Sequence, residues 1–221
     1  MFGFKLRFPN VHVFALLWCE YMAISVKIRR MARSAPQITA KKEQIMNITV
    51  YLGSASGNHP KYRHEVIKLG TWIGKAGHRL IYGGSRIGLM GELAEAALQA
   101  GGEVIGIEPG FFVNSCLQHE GITKLIVTET MAERKAKLIE QGDAYIAFPG
   151  GTGTLEEISE VMSQIRLGHN DRPCIIMNLD GYYDPLRELL DHMVREGFLD
   201  EDSRNSFLFL PDIESIADVL G

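Results

Sequence analysis

The chain has 221 residues, 46% hydrophobic and 23% charged, a length and balance that fit one globular domain with a full apolar core. Cys19, Cys116 and Cys174 are odd in number and widely spaced, which excludes a disulfide framework and a cysteine zinc site and points to a reducing, cytoplasmic setting. The net charge of −4 divides into +6 over residues 1–46 and −10 over residues 47–221, so the main body has no broad basic face for nucleic acid.

Residues 11–26 are apolar, but Glu20 interrupts them and basic residues flank them. The run is too short and broken for a membrane span, and it lacks the clean core and cleavage site of a signal peptide. Three readings stay open for residues 1–46: an amphipathic helix, a disordered tail, or upstream sequence that is not normally translated. Met46 directly precedes the first convincing strand, so residues 47–221 are taken as the folded domain.

From there strands alternate with helices. Residues 47–52 form a strand that ends in Gly53-Ser54. A helix over 60–76 stops near Gly77, and a strand over 79–82 ends in Gly83-Gly84. A helix over 89–99 is terminated by Gly101-Gly102. A third strand covers 104–107, followed by a loop over 108–121 with room for a helical turn. The fourth strand covers 124–127, and a helix covers 131–141. The fifth strand, 143–148, leads into a helical pattern carried by Leu155, Ile158, Val161, Met162 and Ile165. A sixth strand at 173–177, a helix at 183–195, a short strand near 206–208 and a helix near 212–220 complete the chain. Runs apolar on both faces, alternating with helices, predict an α/β fold: a doubly wound parallel sheet covered on both sides. Ligands in such sheets bind beyond the carboxyl ends of the strands, and here several of those ends carry glycine.

The most informative of these ends is Pro149-Gly150-Gly151-Thr152-Gly153-Thr154-Leu155-Glu156-Glu157. A glycine-rich turn between strand and helix presents backbone N–H groups, and the helix dipole favours an anion there. It lacks the lysine of a nucleoside triphosphatase loop. Thr154 to Glu157 also fits a capping box, with Glu157 bonded back to its own helix start. Thr130 and Glu133 form a second candidate box. Arg134 and Lys135 follow it, two cations near a helix start that call for an anionic partner or for water. The turn from Gly83 to Gly91 does not fit the dinucleotide fingerprint. No G-x-S-x-G elbow occurs, and the spacing of His64, His78, His119, His169 and His192 suits no metal, so these read as structural or surface residues.

Taken together, residues 84–91, 131–135 and 149–157 resemble the LONELY GUY family of cytokinin riboside 5′-monophosphate phosphoribohydrolases, often labelled lysine decarboxylases. Residues 149–157 match that family's P-G-G-x-G-T-x-x-E at every fixed position. Met131, Arg134 and Lys135 match its M-H-x-R-K, with Ala132 in place of the histidine. Cys116 stands where members commonly carry a glutamate. The resemblance implies a Rossmann-like homodimer that hydrolyses the N-glycosidic bond of a nucleoside 5′-monophosphate to free base and ribose 5-phosphate. The base is cytokinin-type or plain adenine. The catalytic pair maps onto Arg134 and Glu157. Substrate contacts map onto Lys135, Gly150, Gly151, Thr152, Gly153, Thr154 and Glu156. The turns after the first two strands add Gly53, Ser54, Gly84 and Met90. No metal or cofactor is expected, and no nucleic acid or membrane partner for the main domain. Glu156 and Glu157 lie about 100° apart on a helix, so only one is expected to face a ligand held at the turn. The competing class is a nucleotide or molybdenum cofactor carrier without hydrolysis. A true lysine decarboxylase would need a lysine for pyridoxal phosphate, for which the sequence offers no convincing site.

Overall fold

The computed structural model describes residues 45–113 and 118–221. Residues 1–44 of the N-terminal extension, with Cys19, and residues 114–117, with Cys116, lie outside these residues. Seven strands form one parallel sheet: β1 (Asn47–Tyr51), β2 (Arg79–Tyr82), β3 (Glu103–Pro109), β4 (Lys124–Thr128), β5 (Ala144–Ala147), β6 (Cys174–Met177) and β7 (Phe207–Leu210), in the order β4-β3-β2-β1-β5-β6-β7. The order reverses between β1 and β5. Chain leaves these two strands towards opposite sides of the sheet, which opens a crevice at their carboxyl ends.

Among the described residues the helices are α1 (Pro60–Lys75), α2 (Gly88–Gln99), α3 (Gly110–Val113), α4 (Met131–Gln141), α5 (Thr152–Arg166), α6 (Asp184–Arg195), α7 (Glu201–Asn205) and α8 (Ile213–Leu220). Strand alternation splits the core in two. Ile48, Val50, Leu80 and Ile146 face Val66 and Ile73 of α1, Leu93 of α2 and Ile216 of α8. Tyr51, Ile81, Tyr145 and Ile176 face Leu138 of α4, Ile158 and Val161 of α5 and Leu190 of α6. Buried Thr49 fits this second layer because its hydroxyl donates to Leu138 O, 2.9 Å away.

The predicted alternation is found. β3 runs further than expected, through Pro109, which pairs with Thr128 at its end. The one-turn helix α7 was not foreseen; Asp200 caps it by accepting from Ser203 N at 2.8 Å. No helix among the described residues is long and apolar enough to cross a membrane. Cys174 lies in the core, where burial pushes its thiol up to about 12.

Candidate active site

The site begins with a helix cap. Thr130 Oγ1 accepts from Glu133 N at 3.1 Å, and Glu133 Oε2 accepts from Glu129 N at 2.9 Å, one residue further back than in a standard box. This fixes the first turn of α4 and turns Arg134 under the carboxyl edge of the sheet, where it is 8% exposed. Its Nε donates to Ile107 O at 3.0 Å, and its Nη1 donates to Glu157 Oε1 at 2.6 Å. Gly83, after β2, makes room for the guanidinium: a Cβ there would sit 2.5 Å from Nη2.

The second expected cap is a correction. α5 starts at Thr152, not after Thr154, and its N-cap is Gly151 with no side-chain cap. Leu155 N donates to Gly151 O at 3.1 Å. Thr154 is therefore inside the helix, and Glu157 lies too far along it to reach back. Glu157 turns to Arg134 instead, in a charge-assisted hydrogen bond to a buried guanidinium. By helix geometry the N–H groups of Thr152, Gly153 and Thr154 have no intrahelical acceptor. They point, with the dipole, at the place where an anion is favoured.

These parts enclose a cavity of about 610 Å³ at the β1–β5 crevice, a size suited to a small-molecule ligand. The β1 loop contributes Gly53 and Ser54, and α2 contributes Met90. Arg134 and Lys135 come from α4; Gly151, Thr152, Gly153, Thr154, Glu156 and Glu157 come from the start of α5. Both glutamates thus line the wall, in different states. Glu157 is buried, whereas Glu156 stands at the rim and accepts from Lys135 Nζ at 2.7 Å. Glu160 adds a second carboxylate 3.3 Å from that ammonium.

Gly84 and Gly150 stand behind the lining. A Cβ on Gly150 would meet Thr154 Oγ1 at 2.2 Å and Gly53 N at 2.9 Å, so the two loops touch backbone to backbone. Tyr182 Oη donates to Gly150 O at 2.6 Å and Tyr183 Oη to Phe148 O at 2.9 Å, bracing the turn from behind. Gly84, at φ +88, supports the loop through His119 N, which donates to its carbonyl.

Sequence reasoning missed Gly83, Phe112 and, above all, Glu108 as lining residues. The one available signal for Glu108 was an acid at the carboxyl end of the apolar run 104–107. Desolvation by burial raises the Glu108 carboxyl, and the Arg134 charge partly opposes it. The same two causes act on Glu157, with burial again the larger. Lys135 is held above its usual range, first by its bond to Glu156.

Two histidines have structural partners. His78 is buried, with Nε2 3.3 Å from Gly221 O. His119 Nδ1 accepts from Gly121 N at 3.2 Å. Among the described residues no three His, Cys, Asp or Glu side chains are gathered to hold a metal ion.

Residues 90–220 match the protein family described as "Possible lysine decarboxylase". A cytokinin riboside 5′-monophosphate phosphoribohydrolase of Rhodococcoides fascians is 41% identical over 169 residues, which cover 76% of this chain and 85% of that protein. One of Arabidopsis thaliana is 35% identical over 175 residues, covering 79% of this chain and 82% of that one. Among solved structures, a molybdenum cofactor binding protein from Rippkaea orientalis has a TM-score of 0.61 at 22% identity, covering 80% of this chain and 99% of that one, a likeness of fold.

Proposed function

Since the chain belongs to the LONELY GUY family of cytokinin riboside 5′-monophosphate phosphoribohydrolases, we propose that it hydrolyses the N-glycosidic bond of a nucleoside 5′-monophosphate, a cytokinin riboside 5′-monophosphate or AMP. The products are free base and ribose 5-phosphate. The observation that carries this reading is the buried Arg134–Glu157 pair, 2.6 Å apart, in a cavity that also holds an uncapped helix start. Breaking the bond to the base builds positive charge on the ribose. The Glu157 carboxylate stabilises that charge and takes a proton from the attacking water. Arg134 fixes the carboxylate and partly offsets the burial that raises it. The N–H groups of Thr152, Gly153 and Thr154 grip the phosphate, supplying binding energy away from the reacting bond. Lys135 adds positive charge at the rim.

Decarboxylation through pyridoxal phosphate fits less well. Lys135 is the lysine of the cavity wall, and Glu156 and Glu160 hold it charged, the wrong state for forming a Schiff base. The same proposal has the enzyme act in the cytoplasm, on small molecules and not on nucleic acid, as a homodimer. An apolar hollow on the outer side of the turn, with Leu155, Tyr182, Leu186 and Leu189 in its wall, supports pairing.

The test is incubation with AMP and with isopentenyladenosine monophosphate, followed by chromatography for free base. The expected result is release of base, lowered by at least about 10²–10³-fold in Glu157→Gln with circular dichroism unchanged. Near-normal turnover by that variant would remove Glu157 from the mechanism. Tight nucleotide binding without any base release would make the protein a carrier.

A further inference from the structure

Four buried side-chain polar atoms have no hydrogen-bond partner among the described residues: Tyr51 Oη, Tyr82 Oη, Gln118 Oε1 and Glu108 Oε2. Of these residues only Glu108 belongs to the cavity wall. Buried polar groups are nearly always satisfied, and one left alone calls for a reason. Glu108 is 3% exposed, so water does not supply that partner freely.

Its place along the sheet suggests what does. The cavity follows the carboxyl edge from the phosphate turn after β5, past Gly53 after β1 and Gly83 after β2, to Glu108 at the end of β3. Three strand steps of about 4.8 Å put Glu108 roughly 14 Å from the turn along the sheet, about the span of an extended mononucleotide. Ile87, Met90 and Phe112 make the wall at that end apolar, as a flat base requires. Arg134 lies between the two carboxyl groups, with Nε on the carbonyl of Ile107, next to Glu108, and Nη1 on Glu157. Glu157 has a guanidinium partner; Glu108 Oε2 has none.

Resting on the hydrolase reading above, we propose that Glu108 is the general acid of the reaction and donates its carboxyl proton to the ring of the departing base. The C1′–N bond breaks, its electron pair goes to the base, and the Glu108 proton neutralises the charge arriving there. Water adds its oxygen to C1′ and yields its proton to Glu157. Solvent then returns a proton to Glu108 and removes one from Glu157, so the net reaction is simple hydrolysis. Two carboxyl groups, one protonated and one ionised, are the usual equipment for cleaving a glycosidic bond. The titratable group that acts on Glu108 is Arg134 from α4, and Glu108 in turn acts on Tyr82 from β2. Arg134 pulls its carboxyl down by less than burial pushes it up, while Tyr82 is itself raised by burial and by Glu108.

The test is Glu108→Gln, which keeps the shape and cannot release a proton. With AMP, kcat is expected to fall about 10²–10³-fold with KM little changed, and the loss of rate at high pH that the proposal predicts for the wild type should be absent from the variant. With p-nitrophenyl riboside 5-phosphate, whose leaving group needs no proton, the variant should stay within a few-fold of wild type. Equal loss on both substrates would make Glu108 a positioning residue and overturn the proposal. So would a change confined to KM, or an unchanged rate and pH profile with AMP. If the wild type releases no base from any nucleotide, the hydrolase reading itself fails, which the first measurement shows before the variant is tried.

Discussion

Gly83 is where one added methyl group would act most directly on the catalytic pair. Its missing Cβ leaves the space that Arg134 Nη2 occupies, at 2.5 Å from where the carbon would stand. Gly83→Ala must shift Nη2 and with it the guanidinium that holds Glu157 through Nη1, and misplacement of a reacting group by about 1 Å costs on the order of 10² in rate. Steady-state kinetics beside a thermal melt checks this: kcat should fall about 10²-fold while the melting temperature moves little. The rim pair of Lys135 and Glu156 is a different kind of contact. Glu156 is 63% exposed, so the pair adds little to stability and its value lies in the charge it presents.

At the scale of elements, α4 is the part whose stability and chemistry are joined. Its cap, Thr130, stands four residues before Arg134 and holds the turn that aims it. Thr130→Ala should cost about 1 kcal/mol, or roughly 2–4 °C in melting temperature for a domain of this size. It should also lower kcat, because Arg134 loses its fixed turn. A melt shift without any change in kcat would separate the cap from the site. The same helix shows what the sequence makes legible. A threonine cap, a glutamate three residues on and Gly142 at the end mark both boundaries of α4, and the structure reproduces them. α5 was misread at its start because a Thr-x-x-Glu string imitates a cap wherever it occurs. Nothing local tells such a string that a guanidinium 23 residues earlier will take its glutamate. α7 is too short for periodicity to register. Glu108 was invisible for a similar reason: a single acid at the end of an apolar run has no pattern, and its meaning comes only from the neighbouring strands.

The whole molecule carries its active site at a cost. Glu108 and Glu157 both have carboxyl groups raised mainly by burial. A carboxyl raised in the folded state contributes stability that is complete below its unfolded pKa of about 4.3 and is lost as pH rises through the folded value. Glu108→Gln removes the Glu108 share of that loss. Its melting temperature should therefore exceed the wild type at pH 8, and the gap should close towards pH 5. A gap of equal size at both pH values would refute this account. The position of the crevice was only half legible. Glycine at several strand ends marked the correct edge of the sheet, but that β1 and β5 lie side by side is a fact of topology that no local pattern carries. One anchor of that crevice has a longer reach. Arg134 Nε holds a peptide carbonyl, that of Ile107, and a carbonyl survives any substitution at its residue. Mutations that reshape the base end of the cavity along β3 therefore leave the bond-breaking pair in register. A lineage can drift from one leaving base to another while inheriting the Arg134–Glu157 pair unchanged.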